Sequence, residues 1–482
     1  MVNLRRSLVI NFFASSGATL LQFIASLLLA RILSPREIGV FSITVVFVNI
    51  AHIFRDFGVT TYLQSEAELT PEKIRAAIGL LVTTSWFIAV ILYFASGLVA
   101  IWFKEPGIAP VMKVLALGFL FIPFGSVTHA LLTRQFAADK QALVTAAGTL
   151  SYSVSCIGLA YLGFGTMSLA WANLVNIIVC ALVYIPLRPP ATPWLPSFRN
   201  WHRVLHFGMG SLISNSAVAV NNAIPDILLG KLAGARQVGL FSRANSTVTI
   251  FTYVAGSTVN YGAISYVSQA HHRGESLTPL LNKALSLLTG LGWPVLGVTA
   301  VLGNQIVVAL YGEKWLDSAV AIPALTIAAG TAMIFNYTPA ALTALGRPYL
   351  SAIPIIATIL ARVVFGWLFF DGTLGTFAWA MCIATIAAAP MMFWLQQRYL
   401  KYSVAAMVPA MLPSLGVTAL CVATSLLLRP FPIPNVHPAI NLLIIGIPIT
   451  AVWYIGLRLT KHALLSEVHH FLEIIKHRLL RK

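Results

Sequence analysis

Apolar stretches long enough to cross a bilayer, about 20 residues each, follow one another along the whole chain. Fourteen are readable: 8–33, 38–62, 76–103, 111–133, 142–162, 165–187, 204–230, 238–268, 280–310, 319–345, 349–370, 373–397, 404–428 and 438–459. The connectors are short, and the longest clearly polar one, Arg188–Arg203, contains four prolines. The pattern predicts an all-α polytopic membrane protein of fourteen transmembrane helices with no soluble domain between them. The first stretch follows Arg5 and Arg6 but is too long for the apolar core of a secretory signal, so it reads as an uncleaved membrane helix.

Within this pattern one element occurs twice. Leu28–Ser42 reads LLARILSPREIGVFS and Leu228–Ser242 reads LLGKLAGARQVGLFS, aligned without a gap. Each copy ends one apolar stretch and begins the next. Six spans separate the copies, and an even number preserves orientation. The repeat therefore predicts two parallel six-helix lobes related by an axis along the membrane normal. The expected division is an N-lobe over 1–190, a C-lobe over 191–400, two appended helices over 401–460, and a tail over 461–482. Gly39 and Gly239 are expected to allow close helix contact, and Pro35 to open a helix where its missing N–H does little harm. In the tail, Leu464, Leu465, Val468, Leu472, Ile475 and Leu479 recur at helical spacing opposite Lys461, His469, Lys476 and Arg481. That reads as a basic amphipathic helix on an anionic leaflet, against a solvated basic tail as the alternative.

Composition agrees with a lipid solvent. The 482 residues are 58% hydrophobic and 9% charged, with a mean hydropathy of +0.84, against roughly 25% charged in soluble proteins. The net charge of +17 would suit nucleic acid, but most Lys and Arg fall on the connectors that share a side with the N-terminus. That is the positive-inside bias. It predicts a multi-pass membrane protein with both termini cytoplasmic and no nucleic-acid partner. The four cysteines, Cys156, Cys180, Cys382 and Cys421, lie inside apolar stretches and read as small buried hydrophobes.

Polar side chains inside such stretches need a partner or water. Asn49, His52 and Asp56 share one face of the second stretch, with Arg55 beside them. Asn215, Asn221, Asn222 and Asp226 mark the seventh, together with Ser211 and Ser214. Asn245 marks the eighth, with Ser242, Thr249, Thr252 and Asn260. Serines and threonines often bond their own backbone, so the asparagines and charges carry the signal. Arg362, near the middle of the eleventh stretch, most needs a purpose, because a charge there costs about 2.5–3.5 kcal/mol on insertion scales. Two readings stand for these charges: interhelical pairing or snorkelling, and a wet cationic cavity. A cavity holding Arg55, Arg362 and His52, with Arg243 near its opposite mouth, would suit a pyrophosphate head by bidentate hydrogen bonding. His129 would add to the field when protonated. Asp56 and Asp226 are candidates for ion coupling.

Enzyme signatures are not evident. No Gly-rich nucleotide loop, metal-ligand cluster or activated nucleophile is readable, so no catalytic residue, metal or cofactor is expected. Glu66, Glu68 and Glu72 read as a solvated loop face, and His271–His272 as loop surface. Without an ATPase module, energy must come from a gradient or from removal of the transported product.

The repeat and several later motifs, in order, resemble the Wzx-type oligosaccharide flippases. These belong to the superfamily that also holds multidrug antiporters and lipid II flippases. The motifs are LLARILSPREIGVFS itself, DFG at Asp56–Gly58 and DILLGKLAGARQVGLFSRA at Asp226–Ala244. Trp293–Pro294 interrupting the ninth stretch, YGEKW at Tyr311–Trp315 and ALGRP at Ala344–Pro348 follow. The likeness covers about residues 5–400 and is nearest the branch exporting colanic-acid-like exopolysaccharides. It implies translocation of undecaprenyl-pyrophosphate-linked oligosaccharide repeat units by alternating access, for exopolysaccharide or lipopolysaccharide biosynthesis. It also implies two extra helices forming a groove for a lipid tail, with membrane lipids, a polymerase and a chain-length regulator as partners. A multidrug or cation antiporter of the same fold is the first alternative. A membrane glycosyltransferase or polymerase is the second.

Overall fold

In the computed structural model both copies of the repeat fold into a helix end, a tight turn and a new helix. The structure describes residues 4–479 except 67, 191, 199–200, 260–272, 274, 346 and 430–435. Side chains are left undescribed at 4–9, 11–13, 202–215, 251–259, 344, 348, 471–472 and 474–479. Helix α1 (Leu4–Ile32) is followed by α2 (Pro35–Asp56), α3 (Val59–Ser65), α4 (Pro71–Phe103), α5 (Ile108–Arg134), α6 (Ala138–Tyr161), α7 (Thr166–Leu187), α8 (His202–Ala233) and α9 (Ala235–Val259). After the undescribed stretch come α10 (Thr278–Val301), α11 (Gly303–Tyr311), a 3-10 turn (Glu313–Ala321), α12 (Ile322–Ile334) and α13 (Thr338–Ala344). The chain ends with α14 (Ala352–Leu368), α15 (Leu374–Tyr399), α16 (Val404–Leu428), α17 (Pro438–Leu459) and α18 (Leu464–Leu479). Among the described residues there is no strand. Among the described residues twelve spans are long and apolar enough to cross a membrane. Helices α8 and α9, partly undescribed, coincide with the seventh and eighth expected stretches.

Local chemistry explains the turns. Ser34 caps α2: its Oγ accepts from Glu37 N at 3.3 Å, while Glu37 Oε2 accepts from Ser34 N at 2.7 Å. This reciprocal pair satisfies donors that the helix start leaves open, and Pro35 follows at the first helical position. The far end of α2 stops because Phe57 (φ 43°) and Gly58 (φ 71°) turn left-handed. The second stretch was expected to run unbroken to residue 62, and this break corrects it. The ninth stretch is corrected in the same way. Helix α10 runs straight through Trp293–Pro294 and breaks only at Leu302, where α11 begins. One proline removes one backbone bond. The neighbouring Trp293 anchors the helix by donating from Nε1 to Gly330 O at 3.0 Å.

The chain packs as two compact units, Met1–Gly239 and Leu240–Lys482. In the first unit α4 lies along α5, α5 and α6 along α7, and α1 along α6, while α2 packs on α8, α4 and α5. A core of Val59, Leu63, Ala77, Leu81, Val127 and Ala130 ties α3, α4 and α5 together. The Pro-rich linker lies on this unit: Ser197 N donates to Arg75 O at 2.9 Å, and Arg188 stacks on Trp194 at 4.0 Å. In the second unit the most extensive pairing is α10 with α16. Helix α17 packs on α16, and Val417, Cys421, Ile445, Ile449 and Leu457 close that seam. Leu464, Leu465 and Val468 of α18 pack on the same seam. The first turns of the basic tail thus bury their apolar side against protein. The later tail residues Leu472, Ile475, Lys476, Leu479 and Arg481 lie outside the described side chains. So do Ser211, Ser214, Asn215 and Thr252 in the spans; Asn260 and His271–His272 are wholly undescribed.

A buried hydrogen-bond chain fixes the start of α18. His462 Nδ1 accepts from Leu464 N at 3.0 Å, which places the ring proton on Nε2 facing Ser414 Oγ at 2.9 Å. Ser414 meets Thr289 Oγ1 at 2.8 Å, and Thr289 donates to Leu285 O at 2.8 Å. Burial lowers the His462 imidazole below its usual value, which suits a ring that must accept at Nδ1.

Candidate functional site

Helix α2 carries a polar cluster in the first unit. Its face at 49, 52 and 56 follows helical spacing, with Arg55 turned about 100° from Asp56. Asn49 is exposed along the span. His52 lies flat on Phe119 of α5, with ring centres 4.5 Å apart. Arg55 is mostly covered, at 14% side-chain exposure. Its Nη1 reaches Ser126 Oγ only at 3.5 Å, and its Nη2 reaches Asp56 Oδ1 only at 4.0 Å. Its Nε–H finds no acceptor among the described residues. A guanidinium offers five donors, so this one is held with its capacity largely unspent. Asp56 accepts a hydrogen bond from Thr60 at 2.5 Å. His129 faces the Tyr184 hydroxyl at 3.0 Å.

Helix α8 carries Asn221, half-buried, Asn222, exposed, and Asp226, half-buried one residue after Pro225. Its end is pinned to α4: Lys231 Nζ donates to Trp102 O at 2.9 Å and sits 5.1 Å from the Trp102 ring. In the next turn the two copies of the repeat touch through their glycines. A Cβ at Gly39 would lie 1.7 Å from Ala235 O, and one at Gly239 would lie 1.8 Å from Pro35 O.

In the second unit Asn245 and Thr249 are exposed on α9. Thr249 is the repeat counterpart of Asn49. An amide exposed along a span must meet water or a polar ligand, because lipid offers it no hydrogen bond. Arg243 differs from Arg55. It is 8% exposed and lies over the rings of Tyr311 and Trp315, 5.4 and 5.3 Å away. Thr247 donates to the Tyr311 hydroxyl at 3.2 Å and binds the same corner. Sequence reasoning recognised Arg243 and YGEKW separately and missed that they form one packed cluster. Arg362 is half-buried in α14, which packs on α15. The structure thus joins His52, Arg55 and Asp56 in one cluster, and places Arg243 and Arg362 on different helices of the other unit.

Comparison with known proteins agrees with this architecture. A family model described as polysaccharide biosynthesis protein matches residues 28–320, more than half of the chain. The chain belongs to that family. It is 22% identical over 289 residues to the lipopolysaccharide biosynthesis protein WzxC of Escherichia coli, covering 60% of this chain and 59% of that one. It is 24% identical over 309 residues to the succinoglycan biosynthesis transport protein ExoT of Rhizobium meliloti, covering 63% and 61%. The matches therefore span about three fifths of those two relatives. Against the teichuronic acid biosynthesis protein TuaB of Bacillus subtilis the match extends over 83% and 84%, at 20% identity. Among solved structures the chain resembles the lipid II flippase MurJ in its inward closed conformation. The TM-score is 0.77 at 14% identity, over 93% of this chain and 99% of that one. An inward-facing multidrug resistance transporter of the MATE family gives 0.64 at 18% identity, over 80% and 95%. These structural likenesses establish the fold. The chain is a multi-pass membrane protein with relatives that are transporters.

Proposed function

We propose that the chain is an inner-membrane flippase for lipid-linked oligosaccharides, of the undecaprenyl-pyrophosphate type. In this reading the anionic head crosses in a hydrated space while the isoprenoid chain stays in lipid. Two parallel six-helix lobes, one per repeat, rock to open alternate faces. Arg55 is the observation that carries the reading. A covered guanidinium inside an apolar span, with Nε–H unsatisfied among the described residues and only long contacts elsewhere, is prepared to accept an anion. The exposed Asn49, Asn222 and Asn245 supply hydrogen bonding for sugar hydroxyls, and Arg362 is a second candidate for the head. Asp56 and Asp226 are the groups on which ion coupling would act. A polymerase and a chain-length regulator would take the product onward.

The test is polymer export by a strain whose chromosomal copy carries Arg55→Gln or Arg362→Ala. Arg55→Gln is expected to leave membrane abundance unchanged and to reduce export at least tenfold, with lipid-linked repeat units accumulating on the cytoplasmic side. Normal export by Arg55→Gln would remove the cationic site. Drug sensitivity with intact polymer would instead indicate an antiporter.

A further inference from the structure

The neighbours of α5 fall in sectors around it. Gly125 meets α7, where a Cβ would lie 2.8 Å from Tyr184 Cδ2. Phe119 and Ser126 meet α2, at His52 and Arg55. Leu117 and Phe124, exposed and apolar, mark the lipid side. At about 100° per residue, His129 stands about 40° from Gly125 and about 60° from Ser126, on the strip between the α7 and α2 sectors. It is exposed there, about 140° round the helix from Phe124. Helices α2 and α7 are joined at their starts, where Thr166 Oγ1 donates to Glu37 O at 3.2 Å. The exposure of His129 between them means that they leave a gap further along. His129 lies one turn, about 4.5 Å, along α5 from Ser126, the residue that Arg55 touches.

The groups at this gap are mostly donors. The Tyr184 hydroxyl has one acceptor among the described residues, His129 Nδ1 at 3.0 Å. It therefore donates there, and the ring proton of His129 sits on Nε2. Among the described residues that Nε2–H has no acceptor, and neither has Arg55 Nε–H. The acid beside them is already engaged: Asp56 accepts from Thr60 and stands 4.0 Å from Arg55 Nη2. Uncommitted donors on neighbouring turns call for a ligand rich in acceptors. Phosphate oxygens meet that demand, whereas sugar hydroxyls would need acceptors in return.

We infer that His129, held by Tyr184, is a second hydrogen-bond donor to the phosphate-bearing head seated at Arg55. The assignment rests on the flippase reading and adds a second point of attachment to its site. Tyr184 acts only through His129 and is a positioning residue. Gly125 serves the same end, because a side chain there would displace the Tyr184 ring.

The test is binding of undecaprenyl pyrophosphate to the full chain in nanodiscs, with inorganic pyrophosphate as the free-anion control. His129→Phe is expected to weaken lipid binding about tenfold, the worth of one hydrogen bond to a charged group, at unchanged melting temperature. His129→Gln, which keeps a donor, should recover most of the loss. Tyr184→Phe should cost about threefold alone and nothing further in the His129→Phe background. Parental affinity in His129→Phe overturns the inference. So does His129→Gln binding as weakly as His129→Phe, or a Tyr184→Phe loss that adds to it in full. Should Arg55→Gln abolish polymer export while His129→Phe binds and exports as the parent does, only His129 leaves the site. Should inorganic pyrophosphate bind the parent as tightly as the lipid, with the same loss in His129→Phe, the anion seat stands and the flippase reading fails.

Discussion

Replacing Gly39 by alanine probes the crossing of the two repeats at its tightest point. The added methyl would lie 1.7 Å from Ala235 O and 2.9 Å from Gly239 N, both backbone atoms. Ordinary contact begins near 3.4 Å, so α2 and α9 must part by about 1.7 Å at their first turns. No rotamer change relieves this, because neither obstacle is a side chain. Overpacking of this kind costs about 1–3 kcal/mol. Each backbone C–H···O bond that the parting breaks adds about 0.5–1 kcal/mol. A total of about 2–3 kcal/mol corresponds to a fall in melting temperature on the order of 4–12 °C for a unit of this size. Gly239→Ala meets Pro35 O at 1.8 Å and should cost the same. The double variant should cost clearly less than the two together, since one separation of the helices accommodates both methyls. Thermal melting of the four proteins in one detergent measures this cycle. A Gly39→Ala protein that melts with the parent, or strict additivity in the double variant, would refute the crossing.

Two further outcomes test the second unit. Arg243→Ala removes a buried cation from two aromatic faces and should destabilise by about 2 kcal/mol, seen as a lower melting temperature. Arg243→Lys, keeping charge without the flat guanidinium, should recover part of it. Reduced polymer export by Arg243→Lys at parental melting temperature would instead return Arg243 to the head-binding set. Helix α18 should be released as pH falls. His462 is lowered in the fold below the 6.5 of a free imidazole, so the unfolded state binds more protons below that value. Stability is then complete above about pH 6.5 and is lost as pH drops toward the folded value. Melting at pH 7.5 and 5.5 should show this loss in the parent and less of it in His462→Gln. An equal loss in both would clear His462 of the effect.

Hydropathy alone was enough to foresee the long apolar helices, because a bilayer allows few other solutions. It could not place the breaks. Phe57–Gly58, Leu302 and Phe335–Tyr337 interrupt stretches that stay apolar throughout, so the signal lay in single residues such as Gly58. Trp293–Pro294 looked like a break and is not one, because Trp293 bonds across to Gly330 O. At the site, the charged residues were legible as outliers, but their commitments were not. Arg55 and Arg243 look alike in sequence, each an arginine in an apolar stretch. What separates them is the pair of rings at Tyr311 and Trp315, about seventy residues further along the chain, which only folding brings to Arg243.

The repeat also shows where duplication was kept and where it was abandoned. Gly39 and Gly239 are retained because the chain crosses itself there and no side chain fits. Asn49 and Thr249 are both polar and both exposed, on the same helix turn of each copy. Two turns deeper the copies part: Arg55 and Asp56 correspond to Ala255 and Gly256. The second copy has a cation of its own, Arg243, but covers it with aromatic rings, at the position where the first copy has Ile43. The Arg55–Asp56 pair thus belongs to the first copy alone. In the proposed flippase reading, a cargo with a single compact anionic head needs one such seat. In that reading Ala255→Arg, which gives the second copy an arginine at the position of Arg55, should slow export at unchanged membrane abundance.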